Sequence, residues 1–60
     1  MDNLKIRYWY DRITRSWIVQ VLDEYDNEID NSYVGNKEDR DKEIAYFQWK
    51  YNNIDDVAKY

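Results

Sequence analysis

Residues 4–22 read LKIRYWYDRITRSWIVQVL and contain two segments of alternating character joined by a short, mostly polar connection. In residues 4–10 the side chains that fall on one side are Leu4, Ile6, Tyr8 and Tyr10, with Lys5, Arg7 and Trp9 on the other. Successive side chains of a β-strand point to opposite faces, so this alternation predicts a strand. Residues 16–22 are rich in aromatic and β-branched residues and predict a second strand, paired with the first as a hairpin.

The second strand carries apolar residues on both of its faces. One face holds Trp17, Val19 and Val21, and the other holds Ile18, Gln20 and Leu22. A strand of this kind is expected at the centre of a sheet, covered on both sides or facing a partner. Residues 23–27 (DEYDN) predict a turn closed by Asx side chains. Residues 28–34 (EIDNSYV) predict a third, more polar strand at an edge.

The hydrophobic period changes to that of a helix after Gly35. Asn36 suits an N-cap, and Glu38 and Asp39 then lie in the first turn, where carboxylates complement the helix dipole. One stripe with steps of three or four residues comprises Arg40, Ile44, Phe47, Tyr51, Ile54 and Ala58, widened by Ala45 and Trp49. This stripe predicts a helix over about residues 37–51.

The pair Asn52-Asn53 leaves two outcomes open for the end of the chain. Either the helix continues unbroken to about residue 59, or Asn53 caps a separate final turn. In both cases residues 1–60 form one domain of the α+β class, a three-stranded antiparallel β-meander packed against one C-terminal α-helix (β-β-β-α).

The composition argues against catalysis and against bound cofactors. The 60 residues include no Cys, no His and a single Gly. Disulfides, the commonest metal ligands, the usual general base and a glycine-rich phosphate loop are therefore missing. The acidic stretch 23–30 lacks the glycine and the final glutamate of a calcium-binding loop. We expect no enzyme activity, no cofactor, no metal and no small-molecule substrate.

Several features favour a cytoplasmic protein that does not enter a membrane. No apolar run approaches the roughly 20 residues that span a bilayer. Residues 1–5 lack the basic and apolar regions of a secretory signal. The absence of Cys suits a reducing compartment.

Charge and aromatic content together point to protein binding. The net charge is −4, and 11 of the 13 acidic residues lie in residues 16–60. An acidic domain suits a basic protein surface better than it suits DNA. Three Trp, seven Tyr and one Phe are more than so small a core can hold, and exposed Trp and Tyr often anchor interfaces. The candidate protein-binding residues are Trp9, Tyr25, Glu38, Asp39, Asp41, Tyr46 and Trp49.

The leading hypothesis is thus a non-enzymatic protein-interaction module, such as a phage-type regulator or inhibitor. Its partner would be a protein with a basic surface, or a second copy in a homodimer. Two simpler interpretations stay open: the acidic residues serve solubility alone, or the chain is a dimeric scaffold.

Duplex DNA is the alternative partner. The candidate residues on the first hairpin are Lys5, Arg7, Trp9, Arg12, Arg15 and Gln20, side chains that can contact phosphates and base edges. The element order, the turn pattern Asp11-x-x-Thr14-x-x-Trp17 and Gly35 before the helix resemble the AP2-like DNA-binding domains at the N-terminus of some phage and transposon integrases.

This resemblance covers about residues 4–50. It implies that the three-stranded sheet enters the major groove with the helix packed behind it. The chain departs from such domains in its acidity, and because Asp30 and Ser32 stand in the third strand where cations are expected.

Overall fold

The fold is a four-stranded sheet with one helix on one of its faces. A computed structural model describes residues 3–52 and 54–60. The elements are β1 (Lys5–Asp11), β2 (Ser16–Leu22), β3 (Glu28–Val34), α1 (Lys37–Lys50) and β4 (Asp56–Lys59). Their order in the sheet is β3-β2-β1-β4, with β1 to β3 antiparallel. The predicted α+β class, with a β-meander followed by a helix, is confirmed.

The first two strands pair in the register that alternation requires. Ile6 pairs with Val21 and Tyr8 with Val19, so the apolar sides of both strands share one face. On the opposite face Trp9 pairs with Ile18. β2 lies between β1 and β3, which confirms its central position, and β3 lies at an edge as predicted.

The helix begins where predicted and ends one residue earlier. The Asn36 side chain accepts a hydrogen bond from the Asp39 N–H at 2.8 Å, which caps the first turn. At the other end the Tyr51 N–H donates to the Phe47 carbonyl at 3.0 Å. Asn52 follows with a φ of 59°, the left-handed conformation that commonly ends helices. Continuation of the helix to residue 59 is therefore wrong, and the capping role predicted for Asn53 falls outside the described residues.

The last residues form a strand that the sequence did not predict. β4 pairs in parallel with β1, from Lys5 opposite Asp56 to Tyr8 opposite Lys59. The Tyr60 N–H extends the pairing by donating to the Tyr8 carbonyl at 2.9 Å. α1 thus carries the chain from β3 at one edge of the sheet to β4 at the other.

The hydrophobic core lies between α1 and the sheet. Its buried residues are Ile6, Val19, Val21, Phe47 and Ile54, with Leu4, Tyr8, Ile44, Tyr51 and Val57 packed around them. Ile54 is buried as expected, but it lies in the connection after the helix, and Ala58 lies in β4. Ala45 and Trp49 are exposed and do not widen the buried stripe.

Two polar contacts attach the helix to the sheet. The Arg40 guanidinium lies over the Trp17 ring, 4.4 Å from its centroid. Asp30 accepts hydrogen bonds from the Tyr51 hydroxyl at 2.7 Å and from Lys50 Nζ at 3.2 Å. These bonds, that of Tyr51 first, lower the pKa of the Asp30 carboxyl. Asp30 pairs with Val21, so its side chain lies on the helix side of the sheet.

Candidate functional site

A cleft of about 430 Å³ lies where the start of β1, the β2–β3 turn and the segment between α1 and β4 meet. The residues that line it include Leu4, Lys5, Glu24, Ile54, Asp55 and Asp56. Ile54 is part of the hydrophobic core and Leu4 packs against that core, so part of the lining is apolar. The volume lies within the range of ligand-binding pockets. We call this site the acidic cleft.

Two of the carboxylates around the acidic cleft are neutralised within the chain. Asp26, in the adjoining turn, pairs with Lys5. Asp56 accepts two hydrogen bonds from the Arg7 guanidinium, at 3.0 and 3.3 Å, and Arg7 thereby lowers the pKa of the Asp56 carboxyl. The remaining two carboxylates, those of Glu24 and Asp55, are not paired in this way.

Glu24 and Asp55 are exposed and form no ion pair with another described residue. These two carboxylates therefore line the cleft together with the apolar residues Leu4 and Ile54. Lysine and arginine have an apolar stem and a charged head, so this arrangement suits such a side chain.

The β2–β3 turn that supplies Glu24 is fixed by Asp23. The Asp23 carboxylate accepts hydrogen bonds from the Tyr25 N–H at 2.8 Å and from the Asn27 N–H at 2.9 Å. The Asn27 bond is the main reason why the pKa of Asp23 is lowered. Tyr25 stands in this turn with 77% of its surface exposed.

The outer surface of α1 carries two neighbouring aromatic rings. The centroids of Tyr46 and Trp49 are 6.0 Å apart, and Trp49 is 76% exposed. Glu38 and Asp39 lie in the first turn, and Asp41 pairs with Arg40 at 2.9 Å. The acidic residues of the helix are Glu38, Asp39, Asp41 and Glu43, against the basic residues Lys37, Arg40, Lys42 and Lys50. Acidic and basic residues balance along α1, so the uncompensated negative charge lies elsewhere.

The predicted protein-binding residues lie on three separate parts of the molecule. Trp9 is on the sheet face opposite α1, Tyr25 is in the β2–β3 turn, and the other five are on α1. Glu24 and Asp55 were not among the predicted site residues. Their placement in one cleft depends on the path of the chain from α1 into β4, a segment whose sequence predicts either a continued helix or a separate final turn.

The predicted DNA-binding residues fall into two groups. Lys5, Arg7, Trp9 and Gln20 lie together on the sheet face opposite α1, here called the open face. Lys5 and Arg7 are paired with carboxylates, and Gln20 donates to Glu28.

Arg12 and Arg15 lie in the exposed β1–β2 turn and form no ion pair with another described residue. Ile13, between them, is 94% exposed. Asp30 and Ser32, the two β3 residues that differ from the cationic pattern of integrase-type domains, lie on the helix side of the sheet. Their partners in β2 are Val21 and Val19, which face the helix. The outward positions of β3 include Asn31 and Tyr33.

Over residues 3–52 and 54–60, no group of three or more acidic side chains is arranged to hold a metal ion. No helix in the same part of the chain is long and apolar enough to cross a membrane. Comparison of the chain with protein-family models, with curated protein sequences and with solved structures gave no significant match. The resemblance to integrase DNA-binding domains therefore stays a prediction.

Proposed function

We propose that this chain is a non-enzymatic protein-interaction module that holds a basic segment of another protein in the acidic cleft. The observation that carries the proposal is the placement of Glu24 and Asp55, neither of which forms an ion pair with another described residue, beside the half-buried apolar side chain of Leu4. A lysine or arginine of the partner would lay its stem on Leu4 and present its charged head to the carboxylates of Glu24 and Asp55.

The charge and the exposed rings of the domain support this assignment. A net charge of −4 attracts a basic partner and speeds its encounter. Tyr25 is adjacent to Glu24 and exposed, and tyrosine is enriched among the residues that anchor protein interfaces. By covering a basic surface of its partner, such a module would act as the regulator or inhibitor expected from the sequence.

The location of binding tests this proposal. Amide resonances of the labelled protein would be followed by NMR during titration with an eight-residue peptide of alternating arginine and alanine. We expect saturable shifts at Leu4, Glu24 and Asp55, which weaken as salt is raised because exposed charges are screened. The same peptide with glutamine in place of arginine is the control and should leave these resonances in place. Shifts confined to α1, or equal shifts with both peptides, would refute the assignment to the acidic cleft.

Duplex DNA is the second candidate, favoured by the exposed Arg12 and Arg15 of the β1–β2 turn. Fluorescence anisotropy of a labelled random duplex at about 50 mM salt gives this candidate its most favourable conditions. If DNA is the ligand, binding is salt-dependent and falls with Arg12→Ala, but not with the matched change Lys42→Ala on α1. Absence of binding at this salt concentration would remove non-specific DNA affinity from consideration.

A further inference from the structure

The β1–β2 turn forms an exposed basic projection at one end of the first hairpin. Arg12 and Arg15 are exposed and form no ion pair with another described residue, and Ile13 between them is 94% exposed. The sequence has no acidic residue at positions 12–22. Two positive charges and an apolar side chain therefore stand together in this turn. We call residues 12–15 the basic tip.

Local hydrogen bonds hold the basic tip in its conformation. The Asp11 carboxylate accepts a hydrogen bond from the Ile13 N–H at 2.9 Å. The Ser16 hydroxyl donates to the Thr14 carbonyl at 3.2 Å. A turn that is already ordered loses less conformational entropy when it binds. The basic tip can thus present Ile13 and the two guanidinium groups without first becoming ordered.

The acidic cleft is complementary to the basic tip in charge and in apolar content. Glu24 and Asp55 form no ion pair with another described residue, and the half-buried Leu4 lies in the same lining. The tip supplies the cations that these carboxylates lack, and an arginine stem can lie on Leu4 while its head meets a carboxylate. Opposite charges across an interface steer the encounter and disfavour wrong partners.

The basic tip and the acidic cleft lie at opposite ends of the first hairpin. Leu4 and Lys5 of the cleft are at the start of β1, and the tip follows its last residue, Asp11. Glu24 is at the cleft end as well, because it follows Leu22, the partner of Lys5. The length of β1 separates the two ends by roughly 20 Å. The tip therefore cannot reach the cleft of its own molecule, and only a second copy can bring the two surfaces together.

We propose that the basic tip of one copy docks into the acidic cleft of a second copy, where it competes with the basic segment of the partner protein. The inference rests on the proposed function, because it assigns a second ligand to the same cleft. Each copy carries one tip and one cleft, so a wild-type molecule can make two such contacts. The contact is small and exposed, and we expect a Kd of about 0.1–1 mM that weakens as salt is raised.

The test is complementation between two full-length variants that each lack one surface. The tip variant is Arg12→Gln/Arg15→Gln, and the cleft variant is Glu24→Gln/Asp55→Asn. In sedimentation equilibrium at about 50 mM salt, the average mass of the wild type should rise with protein concentration up to about 1 mM. Each variant alone should stay at the mass of the monomer, whereas their equimolar mixture should form a pair, because it restores one contact.

NMR locates the contact in the mixture. The labelled tip variant, titrated with the unlabelled cleft variant, should show saturable amide shifts at Leu4 and Glu24. With the labels exchanged, the shifts should move to Ile13. Adding the unlabelled tip variant to the labelled one is the control and should cause no shifts. The charge-matched control Lys37→Gln/Lys42→Gln, at two exposed positions of α1, should self-associate as the wild type does.

The proposal is overturned if the mixture gives no reciprocal shifts, or if both variants still self-associate as the wild type does. The tip variant keeps its cleft, so it separates this inference from the proposed function. If it binds the arginine–alanine peptide while the mixture gives no shifts, only the self-association is refuted. If the peptide also fails to bind, the assignment of the acidic cleft is refuted with it. Absence of shifts together with salt-dependent DNA binding that the tip variant loses would assign the basic tip to DNA.

Discussion

The contact between Tyr51 and Asp30 should contribute measurably to the stability of the fold. Tyr51→Phe removes only the hydroxyl that donates to the Asp30 carboxylate at 2.7 Å. A hydrogen bond to a charged group contributes about 1.5–3 kcal/mol, and partial solvent access lowers this to about 1–2 kcal/mol here. For a domain of this size the melting temperature falls by about 4–8 °C for each kcal/mol. Urea unfolding followed by tryptophan fluorescence at pH 6 measures the loss.

The pH dependence of this difference tests its electrostatic origin. The pKa of Asp30 is lowered in the folded protein by the Tyr51 hydroxyl and then by Lys50. A lowered pKa stabilises the folded state fully above the unfolded pKa of Asp, and the contribution is lost as the pH falls through the folded value. The difference between the wild type and Tyr51→Phe should therefore shrink between pH 6 and about pH 3.

The matched control is Tyr25→Phe, which removes the same atom from an exposed ring. It should change the free energy of unfolding by no more than about 0.5 kcal/mol. A loss for Tyr51→Phe of under about 0.3 kcal/mol, or one that persists unchanged at low pH, would refute the role assigned to Asp30.

Three further changes test local features of the fold by urea unfolding or hydrogen exchange. Arg15 has a φ of 54°, a backbone conformation that costs a non-glycine residue about 1 kcal/mol. Arg15→Gly should therefore raise the free energy of unfolding, and a decrease would contradict this explanation. Phe47 is 2% exposed, so Phe47→Ala should lower the free energy of unfolding by about 3–5 kcal/mol. The exposed-site control Trp49→Ala should change it by no more than about 0.5 kcal/mol, and equal losses would refute the assigned orientation of α1. Asp23→Ala should speed amide exchange of Asn27, and unchanged exchange would show that the turn does not depend on this carboxylate.

The antiparallel part of the sheet was predictable because its information is local. Alternation fixes which residues of β1 and β2 share a face, and the short turns fix which strands are neighbours. Asn36 and the acidic first turn gave the start of α1 for the same reason.

The end of the chain was not predictable because its signal is short and its partner is distant. Ile54 and Ala58 are four residues apart and fit a helical stripe, whereas a four-residue strand offers only two positions on each face. The pairing of β4 also requires a free edge on β1, and no local pattern reports that edge. Asn52 was the available signal, since a residue in the left-handed conformation ends α1 there.

The acidic cleft was not predictable for the same reason, because part of it is built by the end of the chain. Tyr25 and Glu24 are predictable as neighbours in the β2–β3 turn. The position of Asp55 near that turn is not predictable, because the fold around Asp55 depends on β4. The Tyr46–Trp49 pair on α1 could be identified from spacing alone, since residues three apart are neighbours on a helix.

The most direct measurement for the central claim compares two double variants that remove the same charge from different places. The dissociation constant of the arginine–alanine peptide would be measured by isothermal titration for Glu24→Gln/Asp55→Asn in the cleft and for Glu38→Gln/Asp39→Asn on α1. Binding in the acidic cleft predicts at least about fivefold weaker affinity for the cleft variant and nearly unchanged affinity for the helix variant. Equal losses would show that only net charge matters, and a larger loss for the helix variant would place the binding site on α1.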